Sequence, residues 1–207
     1  MRENNYTIQA NQAKKHFLTY DQQALVRKFH LRNDEKYLYL TFLSRPYRVC
    51  RGSGDLEKWT DGGWQDGNSY EEVMTILDLL CDAREDRRLS GNWKSMQNFG
   101  LMFHQNLLEE RRNPTADYFD RHPEAFRAGC LGLGGVPIPG GDMAYAVELF
   151  DGLSVGVQFW HGDEDFFPRL RYLWDENALQ YLRYETMFFA VGLLMDTIRA
   201  QADCKPK

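Results

Sequence analysis

The chain has 207 residues, a length that suits one domain with a sizeable apolar core. Its 25 basic and 30 acidic side chains give a net charge of −5, so no excess of Lys and Arg is left to neutralise a phosphate backbone. With 43% hydrophobic and 14% aromatic residues, the composition is that of a folded protein and excludes a disordered chain. We therefore expect a globular protein that does not bind nucleic acid.

Membrane segments and disulfide bonds are not expected either. The longest apolar stretch, residues 188–195, is much shorter than the ~20 residues that a membrane-spanning helix needs. The first residues lack the hydrophobic segment of a signal peptide. The cysteines are far apart and lack the C-x-x-C spacing of zinc and iron–sulfur sites: Cys50, Cys81, Cys130 and Cys204. These observations predict a cytoplasmic protein with reduced thiols.

The first 68 residues change from a helical to a strand-like pattern. Apolar residues recur at helical spacing over the first 30 residues, with a break and a new helix cap at residues 19–21. Residues 36–42 then show the two-residue period of a strand that has large side chains on both faces. Residues 47–50 and 56–59 flank a turn-rich segment, which predicts two more strands.

The middle of the chain, residues 69–131, is predicted to be helical. Ser69 is a helix cap, followed by two glutamates and by an apolar stripe that runs from Val73 to Leu80. Apolar residues from Met96 to Leu107 indicate a second amphipathic helix, and Pro123 opens a shorter third helix.

The C-terminal part, residues 142–200, predicts a three-stranded meander and a helix. Residues 142–150 and 153–160 are strand-like and are separated by Asp151-Gly152, a dipeptide typical of type I′ hairpin turns. A regular hairpin pairs positions whose numbers sum to 303, which places Asp142 opposite His161. Residues 169–174 predict the third strand, and Asp175 or Asn177 is expected to cap an apolar helix that contains Leu179 and Leu182. Together these patterns predict a single α+β domain in which N-terminal and C-terminal strands form one antiparallel sheet packed with several helices.

One group of side chains suggests chemistry. The hairpin register brings Asp142 to His161, and Asp163 and Asp165 follow in the next loop. Carboxylate oxygens together with an imidazole suit a divalent metal such as manganese, iron or zinc, so these four residues are the candidate metal ligands. In the plain structural interpretation, the loop is merely solvated and its charge is neutralised by Arg169 or Arg171.

Aromatic residues around the same loop are candidates for lining a pocket that takes a small polar ligand. They are Trp160, Phe166 and Trp174. Glu185 is added to these ligand-binding candidates because it is a lone carboxylate in an otherwise apolar helix. The leading hypothesis is a binding or accessory protein that holds a divalent metal or a small polar ligand at this loop.

Two other function classes stay open. In the first, the protein is an enzyme in which Asp163 or Asp165 acts as a general base with His161 as its partner. In the second, it is a protein-interaction module without a small-molecule site, and Phe166 and Phe167 form an exposed apolar patch that takes a protein partner.

The C-terminal motifs resemble those of a known family. They are Gly141-Asp142, Phe150-Asp151, Gln158-Phe159-Trp160, residues 162–166, residues 173–177 and Tyr184-Glu185-Thr186. This pattern is similar to the signature of the family called domain of unknown function 3786, whose members occur in anaerobic bacteria and archaea. The chain departs from the family pattern by one inserted aromatic residue in the run from Asp165 to Pro168. The resemblance implies a recurring acidic loop in a protein from an anaerobe, and it implies no established activity.

Overall fold

A computed structural model of the chain describes residues 4–99 and 112–203. The described residues fall into two compact units, one drawn from Met1–Arg88 and Leu179–Ala190 and the other from Leu89–Ala178 and Val191–Lys207. Each unit contains one antiparallel sheet.

The described residues form six α-helices, two short 3₁₀ helices and ten strands. The α-helices are α1 Asn5–Phe17, α2 Gln22–Phe29, α3 Tyr70–Asp82, α4 Pro114–Arg121, α5 Pro123–Gly132 and α6 Tyr184–Asp203. The 3₁₀ helices are Met96–Asn98 and Ala178–Gln180. The strands are β1 Arg32–Asn33, β2 Tyr37–Phe42, β3 Arg45–Cys50, β4 Leu56–Thr60, β5 Gly63–Gln65, β6 Trp93–Ser95, β7 Val136–Pro137, β8 Met143–Phe150, β9 Leu153–Trp160 and β10 Arg169–Asp175.

The first unit contains a sheet with its strands in sequence order, β1-β2-β3-β4-β5. Strand β2 leads into β3 through a tight turn in which Leu43 and Ser44 both have positive φ. Helix α3 begins with a capping box, because the Ser69 hydroxyl accepts the Glu72 N–H and the Glu72 carboxylate accepts the Ser69 N–H. The apolar stripe of α3 is buried, with Ile76 and Leu80 fully inaccessible to solvent.

The second unit contains a sheet in the order β6-β10-β9-β8-β7. Its central strands β8 and β9 are largely buried, and Val147, Val155 and Phe159 are fully inaccessible. The turn between these strands is Asp151-Gly152, and both residues have positive φ, as the type I′ turn requires. The third strand of the meander, β10, pairs with β9 as the sequence predicts.

The predicted pairing between β8 and β9 is wrong by one residue beyond the turn. Phe150 faces Leu153 as expected, but a β-bulge between Glu148 and Phe150 adds one residue to β8. Past the bulge, Glu148 pairs with Ser154 and Met143 pairs with Phe159. The bulge leaves no mark in the apolar pattern, because both faces of the hairpin are buried and either register satisfies it.

The α+β class and the antiparallel pairing are confirmed, but the strands form two sheets where the sequence predicted one. The predicted division of a single domain into residues 1–68, 69–131 and 142–200 stays a prediction. The amphipathic helix expected from Met96 to Leu107 lies mostly outside the described residues, and its described start, Met96–Asn98, is a 3₁₀ helix that follows β6. The last helix begins at Tyr184, so Leu179 and Leu182 precede it.

None of the described helices combines the length and the apolar character that a membrane crossing requires. Three of the cysteines are free thiols, namely Cys50, Cys81 and Cys130. The fourth, Cys204, lies outside the described residues.

Candidate functional site

The predicted meeting of Asp142 and His161 occurs, although the two residues are not cross-strand partners. The Asp142 N–H donates to the carbonyl of Phe159 at 2.8 Å. The Oδ2 atom of Asp142 then accepts the backbone N–H of His161 at 2.7 Å. Asp142 therefore binds the backbone where β9 ends, and the His161 ring has another partner.

That partner is Asp120, which lies near the end of helix α4. The Nδ1 atom of His161 is 2.9 Å from Oδ1 of Asp120, and the same oxygen accepts the Gly162 N–H at 3.2 Å. The hydrogen bond from His161 is the main cause that holds the pKa of Asp120 below its usual value. The edge-to-face contact of the imidazole with Phe159, at 4.9 Å between ring centroids, further fixes the ring.

Asp163 shapes the loop between β9 and β10. Its Oδ1 atom accepts the N–H groups of Asp165 and Phe166, at 2.9 and 2.8 Å, and its own N–H donates to the Phe166 carbonyl at 2.9 Å. Asp165 is exposed to solvent. The enzyme hypothesis paired one of these two acids with His161, but the imidazole has Asp120 as its carboxylate partner.

The candidate metal ligands do not converge. Within residues 4–99 and 112–203, no group of three or more His, Cys, Asp or Glu side chains is arranged to hold a metal ion. Asp142 binds a backbone N–H group, His161 binds Asp120, and Asp163 binds its own loop. Metal binding by Asp142, His161, Asp163 and Asp165 stays a prediction without a cluster of donors to support it.

The aromatic candidates differ in their environments. Trp174 is fully buried, and its Nε1 atom has no hydrogen-bond partner among the described residues, so it is a core side chain that lines no surface pocket. Trp160 is half-buried beneath two guanidinium groups, those of Arg169 at 4.8 Å and Arg171 at 5.4 Å from its ring. Phe166, by contrast, is 73% exposed at the tip of the loop.

The remaining ligand candidate, Glu185, lies outside this group. It is an exposed residue in the first turn of α6, and it belongs to the first compact unit, whereas the loop belongs to the second. A carboxylate in the first turn is favourable because the amide dipoles leave partial positive charge at a helix N-terminus.

Asp175, which ends strand β10, has a structural role. Its side chain is buried, and its oxygens accept the N–H groups of Ser90, Gly91 and Asn177 and the Ser90 hydroxyl, at 2.8 to 3.1 Å. Burial by itself raises the pKa of Asp175, but these hydrogen bonds outweigh it and hold the pKa below its usual value. Asp175 therefore ties the segment before β6 to the end of β10.

The residue that sequence reasoning missed is Asp120. It precedes His161 by 41 positions, and its helix α4 was not predicted because Pro114–Arg121 is only eight residues long. Asn113 caps this helix by accepting the N–H groups of Thr115 and Ala116, and Pro114 occupies its first turn. The Asn-Pro pair was the available signal for this helix, but no local pattern connects Asp120 to His161.

Comparison with known proteins gives one match. The model of the family described as domain of unknown function (DUF3786) matches residues 21–197. The chain belongs to this family. No curated protein and no solved structure matches the chain. The residues that match the family model include parts of both compact units. The description of the DUF3786 family assigns no activity.

Proposed function

We propose that this protein binds a small polar ligand at the hairpin end, the surface formed by Asp120, Asp142 and residues 160–168. The observation that carries the proposal is the 2.9 Å contact between Nδ1 of His161 and Asp120. A carboxylate on one ring nitrogen fixes the orientation of an imidazole and leaves the other nitrogen to bind or to exchange a proton. The His161 side chain is 42% exposed, so a ligand can reach it.

The surroundings of His161 favour a polar ligand. Arg169 and Arg171 stack on Trp160, next to His161 in the chain, and both guanidinium groups supply N–H donors. Asp165 is exposed and supplies acceptors. Because neighbouring residues of a strand point to opposite faces, and the His161 ring packs on Phe159, the two guanidinium groups lie on the face opposite to the imidazole. A ligand at His161 therefore meets the imidazole and the carboxylates of the hairpin end.

A screen followed by calorimetry tests the proposal. Thermal shift measurements on the full chain cover small organic acids, amines, sugars and nucleosides, and also Mn²⁺, Zn²⁺ and Ca²⁺ at millimolar concentration. We expect at least one polar organic compound to raise the melting temperature. Its affinity should fall about tenfold in His161→Gln, because a flexible amide that cannot exchange a proton replaces the oriented ring nitrogen.

Two further variants make the test specific. Asp120→Asn keeps the size of the side chain and weakens the orientation of the imidazole, so it should also reduce the affinity. His30→Asn replaces an exposed histidine of the first unit at a left-handed position that asparagine tolerates, and it should change nothing. If no organic compound binds, or if binding is the same in His161→Gln, the proposal is wrong. If only a divalent metal binds through His161, the metal hypothesis replaces it.

The exposure of two adjacent phenylalanines favours a second candidate function, a protein-interaction module. Phe166 is 73% and Phe167 68% exposed. Exposed apolar residues that are scattered singly are normal on a monomer, whereas adjacent ones form a patch that can mark an interaction site. If this tip binds a second copy of the chain, sedimentation velocity will show a dimer at high concentration. The double substitution Phe166→Ser with Phe167→Ser will abolish it. If the chain is a monomer at all concentrations, the proposal that this tip binds a second copy of the chain is wrong.

A further inference from the structure

The first unit contains a cleft that the hairpin end does not involve. Helices α1 and α3 and the residue before α6, Arg183, surround a volume of about 470 Å³. We call it the α1–α3 cleft. Its apolar wall is formed by Ala13, Met74 and Leu77. This volume lies in the range of sites that bind small organic molecules.

The polar wall holds two carboxylates and one guanidinium group. Asp78 and Asp82 are four residues apart on α3, so both lie on the face that lines the cleft. Asp82 receives a hydrogen bond from Nη2 of Arg183 and another from the Tyr20 hydroxyl at 3.3 Å. Asp78 accepts the backbone N–H of Arg183 at 3.0 Å through its Oδ2 atom.

The other oxygen of Asp78 is less well placed to accept hydrogen bonds. Its Oδ1 atom is 3.3 Å from Nε of Arg183, yet it accepts no well-aligned hydrogen bond from the described residues, although the Thr186 hydroxyl nearby favours the ionised form of Asp78. The Asp78 side chain is only 6% exposed, and an acceptor buried without a donor is costly. One guanidinium group thus contacts both carboxylates, so among the described residues Asp78 and Asp82 share a single arginine partner.

The pKa of Asp78 agrees with this imbalance. Burial, together with the neighbouring Asp82, raises the pKa of Asp78 to about 6. The other titratable groups near the pair are His16, whose Nε2 atom is 3.8 Å from Oδ1 of Asp82, Tyr20, Cys81 and the Lys28 ammonium group on α2. Arg183 does not fully offset the cost of burial, so Asp78 takes up a proton below about pH 6 and is ionised at pH 7.5.

We infer that the α1–α3 cleft binds a small organic cation, with its N–H donors on Asp78 and Asp82 and its hydrocarbon part on Met74 and Leu77. The Arg183 side chain is 59% exposed, so its guanidinium group has room to turn outward while its backbone stays bound to Asp78. A metal ion fits less well, because no group of three metal-binding side chains occurs within the described residues. An anion would meet the two carboxylates.

Calorimetric titration with three probes of one shape tests this inference. Phenethylammonium is the cationic probe, 2-phenylethanol is its neutral counterpart, and 3-phenylpropionate is the anionic one. With the full chain at pH 7.5, we expect the cation to bind at least about tenfold more tightly than either counterpart. Its affinity should fall about tenfold at pH 5, where Asp78 with a pKa of about 6 is mostly protonated.

Substitution of Asp78 separates this site from non-specific binding. Asp78→Asn should weaken the binding of phenethylammonium about tenfold at pH 7.5 and remove its pH dependence. If that variant fails to fold, Asp82→Asn replaces it and should weaken the binding by a similar factor. Asp86→Asn, at an exposed carboxylate paired with Arg84, is the matched control and should change nothing.

The inference is overturned if the three probes bind equally, if none binds at 10 mM, or if Asp78→Asn binds phenethylammonium as the wild type does. These results would leave the hairpin end untouched, since none of the substitutions lies in its unit.

Discussion

Two buried aspartates, one in each compact unit, show how differently the same side chain can be held. Asp175 of the second unit and Asp78 of the first are 6% and 7% exposed. Asp175 receives hydrogen bonds from three backbone N–H groups and one hydroxyl, and its pKa lies below the usual value. One oxygen of Asp78 accepts no hydrogen bond from the part of the chain that the structure describes, and the pKa of Asp78 is raised to about 6.

The comparison shows that the number of hydrogen bonds a carboxylate accepts, rather than its burial, distinguishes a structural carboxylate from one that is a candidate for binding a ligand. Both side chains have lost nearly the same share of their contact with water. The donors around Asp175 are backbone N–H groups and the Ser90 hydroxyl, which the fold holds in place. These hydrogen bonds stabilise the ionised carboxylate within the protein. Asp78 shares its guanidinium partner with Asp82, and this sharing is the basis for the inferred binding of a cation.

The largest effect is expected at the satisfied aspartate. Asp175→Ala removes the buried acceptor of four hydrogen bonds and leaves three N–H groups and a hydroxyl without this partner, so the free energy of unfolding should fall by about 3–5 kcal/mol. Urea unfolding followed by circular dichroism measures this change. A loss of less than about 1 kcal/mol would show that the carboxylate is not the structural link described above.

The free energy of unfolding should depend on pH through the protonation of Asp78. Because the folded state holds a proton on Asp78 up to about pH 6, the free energy of unfolding should decrease as the pH rises from about 4 to 7. The expected decrease is on the order of 2–3 kcal/mol. Asp82, whose pKa is lowered, contributes stability that is lost only as the pH falls below about 4, so it does not obscure this range. Urea unfolding at a series of pH values measures the slope.

Asp78→Asn should remove that slope. The amide cannot ionise, and it can still accept the Arg183 N–H, so we expect the variant at pH 7.5 to be as stable as the wild type or up to about 2 kcal/mol more stable. The same urea series, run in parallel on Asp86→Asn, separates this effect from a general change in charge. Equal slopes in the wild type and in Asp78→Asn would contradict the assignment.

The smallest effect on stability is expected at the hairpin end. The pair of His161 and Asp120 is partly exposed, so Asp120→Asn should change the free energy of unfolding by only about 0.5 kcal/mol. This loss should appear at neutral pH and vanish at low pH, because a lowered pKa means that Asp120 contributes stability only while it is ionised. Thermal unfolding of the wild type and the variant at pH 7 and at a series of decreasing pH values measures how this loss changes. A loss above 2 kcal/mol would indicate a structural role and weaken the case for a binding site.

The parts of the fold that follow local rules could be predicted from the sequence. The Ser69 cap of α3, the Asp151-Gly152 turn and the strand β10 depend on neighbouring residues and are confirmed. The two sheets were predicted as one because strand patterns show which residues are extended and not which strands pair across a long separation. The bulge beyond Phe150 was missed because both registers bury apolar side chains.

The candidate sites were harder to predict because their partners are distant in the sequence. The contact between Asp142 and His161 was found through a hairpin turn, even though the assumed register was wrong. Asp120 and His161 are 41 residues apart, and Asp78 and Arg183 are 105 apart, and no local pattern joins either pair. In the sequence, Asp78 is simply a polar residue between apolar ones on a helix, and its burial depends on packing that the pattern does not specify.

A titration of the aspartate carboxyl carbons by ¹³C NMR tests the contrast between the two buried side chains most directly. Asp78 should titrate with a midpoint near pH 6, and that midpoint should fall when phenethylammonium is added, because a bound cation favours the ionised form. Asp175 should titrate below the usual range of an aspartate and should not respond to the cation. If Asp78 titrates below pH 4, or if its midpoint is unchanged by the cation, the account of an unbalanced carboxylate in the α1–α3 cleft is wrong.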